Sequence, residues 1–449
     1  MRSLPSVAGW VSPAVLAPVV VYLALFHGAP AAAATGALCF SLVLWPRPDT
    51  ALLLLLGAVP VAALVDPGGT TLPAMAMAAV ALLLFRLVPT ARVRIELALV
   101  MCLSVAITVS YFLPLSPLQV ERPWKAWALV LTGLGLLAAT VLAPPEPRRV
   151  VRIVAGSGTG VAGYLLVRAE YADHRLTGLG LNPNYVGAVL ALSLVAAVGL
   201  ARLDRSRAWL LPALVCAAAL LQTRSRGAFL MAAAGLVCAL LAGRPLRHKA
   251  LITVTALVPA LLLPGSLDAL EGSLTGSRSA TELTANAEVR KRAALLAVRV
   301  AFDHPFRGIG YAMFPEYART SSSLGIYINT HNDYLRLAAE SGFVALVLLL
   351  ALLWLGLARR CTADLAVLQA LCLAYAVGLL FANTLTDVLV SAPFWTSLGC
   401  LLARSRRDGP APAAVAEKRP PSPREDSLPP GEDSLPPGKD HLLPVRNAE

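Results

Sequence analysis

Residues 184–227 read NYVGAVLALSLVAAVGL (184–200), ARLDRSR (201–207), AWLLPALVCAAALLQ (208–222) and TRSRG (223–227). Two apolar runs are separated by a short basic segment and closed by a turn that carries two more arginines. At ~1.5 Å rise per residue, each run is long enough, or nearly so, to cross a ~30 Å hydrocarbon core as a helix. The same alternation of apolar run and short polar connection extends in both directions, from residue 9 to residue 403.

Composition agrees with this reading. Of 449 residues, 57% are hydrophobic and only 14% charged, with a mean hydropathy of +0.69. A soluble chain of this size needs far more charge to cover its surface. Candidate spans fall at roughly 9–27, 28–45, 51–66, 71–90, 95–115, 124–143, 150–167, 184–201, 208–222, 226–243, 249–265, 341–358, 364–382 and 385–403. The expected fold is therefore an all-α, polytopic transmembrane helical bundle of about 12–14 spans. The first run, after Met1-Arg2, resembles a signal peptide, but similar runs follow it throughout, so it reads as a retained first helix.

The seven cysteines lie at positions 39, 102, 216, 238, 361, 372 and 400. They form no CxxC pair and suggest no disulfide framework. No Walker A, HExxH or GxSxG pattern is present, nor an acidic pair spaced as a metal site, so neither cofactor nor metal is expected.

Charge gives the orientation. With Met1 inside, the inside connections at 46–48, 91–94, 144–149, 201–207, 244–249 and 359–360 and the tail from 404 all carry Lys or Arg, as the positive-inside rule requires. Both termini are then cytoplasmic. That accounts for much of the +12 formal charge. Four outside segments break the rule: 116–125, 168–184, the 223–227 turn, and a long loop at about 266–338 with Arg278, Arg290, Lys291, Arg292, Arg299, Arg307, Arg319 and Arg336. Cations on that face act against topology, and an anionic ligand there, rather than nucleic acid, is the simplest compensation. The chain thus divides into an N-terminal membrane bundle (1–265), an extracytoplasmic loop (266–338), C-terminal membrane helices (339–403) and a Pro-rich cytoplasmic tail (404–449). The tail repeats EDSLPPG at 425–431 and 432–438, a composition that cannot bury a core and is expected to be disordered.

Four places carry candidate chemistry. Thr330-His331-Asn332-Asp333-Tyr334-Leu335 opens a span, and Thr330 with Asp333 has capping spacing. His331 is expected at the first helical position, where the helix N-terminus and nearby arginines keep imidazole neutral and able to accept a proton. The competing reading is a histidine that only satisfies backbone at the interface. Thr223-Arg224-Ser225-Arg226-Gly227 is a tight turn; Arg226 either snorkels or grips phosphate oxygens bidentately. Within the long loop, 288–302 reads as an amphipathic helix lying along the membrane surface, with Val289, Ala293, Leu296 and Val300 on one face. Arg290 on it is followed by His304-Pro305-Phe306-Arg307-Gly308-Ile309-Gly310, and taken alone Arg290 fits a solvated face. Asn182-Pro183-Asn184 reads as a turn with an asparagine cap.

In order and spacing these segments resemble the O-antigen ligase/polymerase family of bacterial membrane glycosyltransferases over about residues 175–345. The resemblance rests on the Asn182-Pro183-Asn184 turn, Ser225-Arg226-Gly227-Ala228, Arg290 fifteen residues before Pro305, 305–310, and His331-Asn332 with Glu340 and Gly342. One departure is Ala294, where the family often has an aromatic residue four places after the loop arginine. Arg292 is therefore a rival for the place of Arg290.

The resemblance implies a GT-C-like enzyme of the bacterial inner membrane, with its active site on the extracytoplasmic face. The donor is a glycan on undecaprenyl diphosphate, and the acceptor hydroxyl belongs to lipid A core, to a growing glycan, or to a protein. It implies His331 as catalytic base and Arg226 and Arg290 as the diphosphate clamp, supported by Asn332, Glu340, Ser225 and Asn184. No metal is required, and direct displacement inverts the anomeric centre. The rival class is a transporter or flippase of lipid-linked glycans, which would line a cavity within the spans with its arginines; a protein O-oligosaccharyltransferase is the rival within the family.

Overall fold

The computed structural model describes residues 47–65, 71–88, 94–114, 123–172, 174–241, 280–358 and 361–404. The spans expected at 9–27, 28–45 and 249–265, and the tail, lie outside the described residues.

Every other expected span is a helix. In chain order these are α1 (Pro48–Val65), α2 (Thr71–Leu87), α3 (Ile95–Phe112), α4 (Trp124–Leu142), α5 (Pro147–Arg168), α6 (Pro183–Leu203), α7 (Leu210–Thr223) and α8 (Arg226–Leu240). After the long loop's α9 (Ala280–Asp303) and α10 (Phe314–Thr320) come α11 (Asp333–Leu357), α12 (Ala363–Gly378) and α13 (Val388–Arg404). Five of them, α3, α4, α5, α6 and α11, are long and apolar enough to cross a membrane. A two-stranded antiparallel hairpin, Tyr171–Ala172 with Arg175–Leu176, bridges α5 and α6. The chain is an all-α polytopic membrane bundle.

Short connections make successive helices antiparallel, so the bundle has two chemically distinct ends. One gathers Arg148 with Asp364 (2.8 Å), Arg152 with Asp204 (3.3 Å), Arg94 on the Val141 carbonyl, and Arg202 on the Ala239 carbonyl. The other gathers the hairpin, the 223–227 turn, the loop between α9 and α11, and the α12–α13 connection.

Inside lipid there is no hydrophobic gain from bringing helices together, so close packing must hold them, and small residues permit it. Gly158 of α5 faces Ser193 of α6, Gly187 of α6 faces Ala228 of α8, and Gly235 of α8 faces Val195 of α6, each too close for an added Cβ. α13 is packed against α4, α12, α1, α5, α6 and α11. Its Phe394 and Trp395 are fully buried, with Phe394 stacked on Tyr375 at 4.2 Å between ring centroids.

α11 starts at Asp333, eight residues before the apolar run expected from 341, so the expected loop boundary at 338 falls inside this helix. Hydropathy hid the first two turns because they contain Asp333, Arg336 and Glu340, all buried and partnered within the protein. α9 also departs from expectation. The Ala293, Leu296 and Val300 face, expected to lie on the membrane, is buried against α11, Ile309 and Phe314. An apolar face is satisfied equally by lipid or by protein, and the loop folds back to supply protein.

Candidate functional site

His331 sits at the bundle end opposite the basic rim. It lies two residues before α11 rather than at its first position. Asn332 is the N-cap, its Oδ1 accepting from Leu335 N at 3.0 Å. Thr330 does not cap the helix; its hydroxyl donates to the Asn332 carbonyl at 2.8 Å and tightens the turn. His331 itself is left-handed, with φ 52°, a conformation non-glycine residues adopt infrequently.

The partner that holds this turn is Asn383, in the α12–α13 connection, and sequence reasoning missed it. Its Oδ1 accepts the His331 backbone N–H at 2.9 Å. Its Nδ2 donates to Thr330 Oγ1 at 3.1 Å and to Asp333 Oδ1 at 3.2 Å. Its carbonyl accepts from the Tyr185 hydroxyl at 2.8 Å. Asp333 is further satisfied by Leu385 N at 3.0 Å, and its own N–H donates to the Leu379 carbonyl. An Asn383→Ala substitution leaves the buried Asp333 and the His331 N–H short of partners. The expected cost is about 1–3 kcal/mol, read as a lower thermal-unfolding midpoint in detergent.

Burial, and then the positive charge of Arg290, push the His331 imidazole down from its ordinary 6.5 to about 4. The expectation of a neutral histidine is met, though desolvation contributes more than the arginine does. Arg290 is therefore the loop arginine that His331 feels. Its rival Arg292 pairs with Glu288 at 3.2 Å one helical turn away on the exposed side of α9.

The second corner is the turn before α8. Ser225 is the N-cap, its Oγ accepting from Ala228 N, and Arg226 is the first helical residue. Asn182 caps α6, accepting from Asn184 N at 2.9 Å and Tyr185 N at 3.2 Å. Asn184 then reaches across: its Oδ1 accepts from Ser225 Oγ at 3.1 Å and from Arg175 Nη2 at 2.7 Å. Arg175 also donates through Nε to the Thr223 carbonyl at 2.9 Å. Arg175, within the basic outside segment 168–184, is thus a strut between the hairpin, α6 and the end of α7. Gly227 lies against Phe381, so the Arg226 turn packs on the connection that carries Asn383. His331, Asn332, Ser225, Arg226 and Asn184 are brought to one bundle end, with Arg290 close enough to be felt there.

Glu340 has a different place. It is fully buried in α11, with Oε2 accepting from Arg336 Nε at 2.9 Å and from Ala312 N at 2.8 Å. Its Oε1 accepts from Phe314 N at 3.0 Å. Arg336, counted in sequence among the loop cations, is buried and lies 5.2 Å over the Tyr311 ring. Glu340 therefore pins the 308–314 loop.

The backbone does the rest. α11 is broken at Gly342 (φ 82°, ψ 169°), and Phe343 N donates to the Pro305 carbonyl at 2.7 Å. The carbonyls of Ala339 and Glu340 instead accept from Ile309 N at 2.9 Å and Gly310 N at 3.0 Å. Gly308 and Gly342 lie so close to the facing backbone that no side chain fits at either. The glycine pair at 308 and 310 thus belongs to a chain segment stitched into a broken helix. Among the described residues no three His, Cys, Asp or Glu side chains are grouped to hold a metal ion.

A many-helix membrane bundle with a polar, arginine-bearing end defines the class: a multi-pass membrane protein. Residues 211–350 match the family model described as O-antigen ligase. Over that segment the match bears out the resemblance read from the motifs. It takes in Ser225, Arg226, Arg290, His331, Asn332 and Glu340, whereas Asn184, Arg175 and Asn383 lie outside it. No curated protein matches the chain.

Proposed function

We propose that this protein transfers a glycan from undecaprenyl diphosphate to an acceptor hydroxyl at the extracytoplasmic face of the inner membrane, as an O-antigen ligase or polysaccharide polymerase with both termini cytoplasmic. The observation that carries the reading is a neutral histidine held by its backbone on Asn383 and facing the charge of Arg290. His331 accepts the proton of the acceptor hydroxyl as it attacks the anomeric carbon. Arg226 and Arg290 bind the diphosphate and neutralise the charge that develops as it leaves. Attack opposite the leaving group inverts the anomeric centre, and the arginines supply the positive charge that a metal would otherwise bring.

Depth supports this reading. The Phe343–Leu357 part of α11 rises ~21 Å, and the turns from Asp333 to Ser341, on the other side of the Gly342 break, carry the chain on towards the far boundary of a ~30 Å hydrocarbon layer. His331, just beyond that helix, then falls at headgroup level, where the diphosphate of a lipid carrier lies.

The test is glycan transfer by purified protein from an undecaprenyl-diphosphate glycan in detergent; Arg226→Gln and Arg290→Gln should lose transfer, and full activity of both would sink the clamp. In cells, polymer stranded on its carrier with an uncapped core identifies a ligase, and a core bearing one repeat identifies a polymerase.

The pH dependence follows from the lowered imidazole. With a folded value of about 4, the base form persists well below 6.5. The acid limb of kcat/KM, which reports the free enzyme, is expected near 4, and Arg290→Gln should move it upward. Because protonation favours the unfolded chain, the His331 contribution to stability is present above 6.5 and is lost as pH falls towards 4. An acid limb at 6.5 in the parent protein would contradict a buried imidazole.

A further inference from the structure

We infer that the outward face of α9, formed by Leu295, Val298 and Phe302 and continued by Phe306, is a membrane-docking surface whose partner is bilayer lipid just below the headgroups. α9 has two apolar faces. One is buried against α11 through Ala293, Leu296, Ala297 and Val300. The other, on the opposite side, repeats at three- and four-residue spacing and is left open: Leu295 is 61% exposed, Phe302 70% and Phe306 77%. An aqueous loop has no reason to present four large apolar side chains along one edge.

Continuity decides the occupant. The Phe302 ring meets Phe343 of α11 edge-to-face at 5.5 Å. Directly after Phe343, α11 exposes Val344, Val347, Leu350 and Trp354 in a helical stripe. That stripe belongs to a membrane-crossing helix, so its partner is lipid, and the α9 face extends it without interruption.

Depth gives the same answer from two helices. Phe343 lies ~21 Å of helix rise above the basic end of α11 at Leu357, inside a ~30 Å hydrocarbon layer. In α3, Ser110 donates to the Glu340 carbonyl, at the level of the α11 break. Ser110 lies ~22 Å above Ile95, again below the far boundary. The side chains of Phe302 and Phe306 are therefore at a level where open space is lipid rather than water. Lys291 and Arg299, exposed on α9 around this face, lie where lipid phosphates can meet them. The docking needs only the multi-pass architecture. Its consequence, that α9 carries Arg290 at phosphate depth, rests on the proposed function.

The test uses the full chain in vesicles of phosphatidylethanolamine and phosphatidylglycerol. Nitroxides are placed at Leu295→Cys, Phe302→Cys and Phe306→Cys in a background whose native cysteines are replaced by serine, with Arg319→Cys as the aqueous reference. Collisions with oxygen should exceed those with a water-soluble nickel chelate at the three apolar positions and reverse at the reference. Nickel dominance at 302 and 306 would put the face in water. Exclusion of both reagents would mean that protein covers it. Either result overturns the inference. In the native-cysteine background, Phe302→Trp should add emission quenched by lipids brominated near the headgroup, and quenching no greater than the parent's also overturns it. Neither measurement involves catalysis, so failure here is separable from failure of the His331 reading.

Discussion

His331→Ala is expected to lower glycan transfer by about 10²–10⁴-fold, the usual worth of a positioned general base, with donor binding little changed. The fold should survive, because the bond that fixes this residue runs from its backbone N–H to Asn383 Oδ1 and does not involve the imidazole. Alanine does remove a residue type that tolerates the left-handed conformation at φ 52°, so some loss could come from backbone strain. His331→Asn separates the two effects. Asparagine is among the residues most at ease in that region, but it offers no proton-accepting nitrogen. Both variants should therefore lose transfer to similar extents while only alanine loosens the turn. The measurement is initial rate with purified protein, undecaprenyl-diphosphate glycan and acceptor, alongside donor binding. Transfer by the asparagine variant at the parent rate would remove His331 from the mechanism.

The second large effect is structural. Glu340→Ala strips a buried guanidinium of its carboxylate and leaves the N–H groups of Ala312 and Phe314 without acceptors. Breaking a buried pair by removing one partner costs about 3–5 kcal/mol, because the remaining charge stays out of water. A sharp fall in the thermal midpoint and in the amount of protein in the membrane is expected. Glu340→Gln keeps one acceptor but places an amide NH2 against a backbone donor, so it should fall in between. If Glu340 instead took part in the chemistry, Glu340→Gln would lose transfer at an unchanged thermal midpoint; that outcome would refute the structural role given to it here.

These two residues mark how far the sequence could be read. His331, Arg226 and Arg290 stand out in sequence as candidates because each is a polar residue in a chemically improbable place, against the positive-inside pattern or at the mouth of an apolar span. Glu340 was legible as unusual but not as to its role, since a buried carboxylate looks the same in sequence whether it meets a substrate or a loop amide. Asn383 gave no signal: it lies 52 residues from His331, in a connection with no charge pattern of its own. Arg175 lies in the outside segment 168–184, where the sequence shows only that the positive-inside rule is broken. What separates Arg290 from Arg292 also needed coordinates: the charge of Arg290 acts on His331, and Arg292 pairs with Glu288.

The sequence by itself determined that the chain is a helical membrane bundle and where its described spans fall. Those properties depend on the free energy of putting each segment in lipid or water, which is a sum over local residues. Only the tertiary structure decided that the Ala293, Leu296 and Val300 face of α9 is used on protein, that 305–310 is stitched into the break at Gly342, and that Asn383 fixes the histidine turn. Each is a pairing between segments distant in the chain, and a buried hydrogen bond or apolar face can be satisfied by many partners of the same chemistry. Which partner is taken is a matter of geometry, and geometry is set when the helices pack.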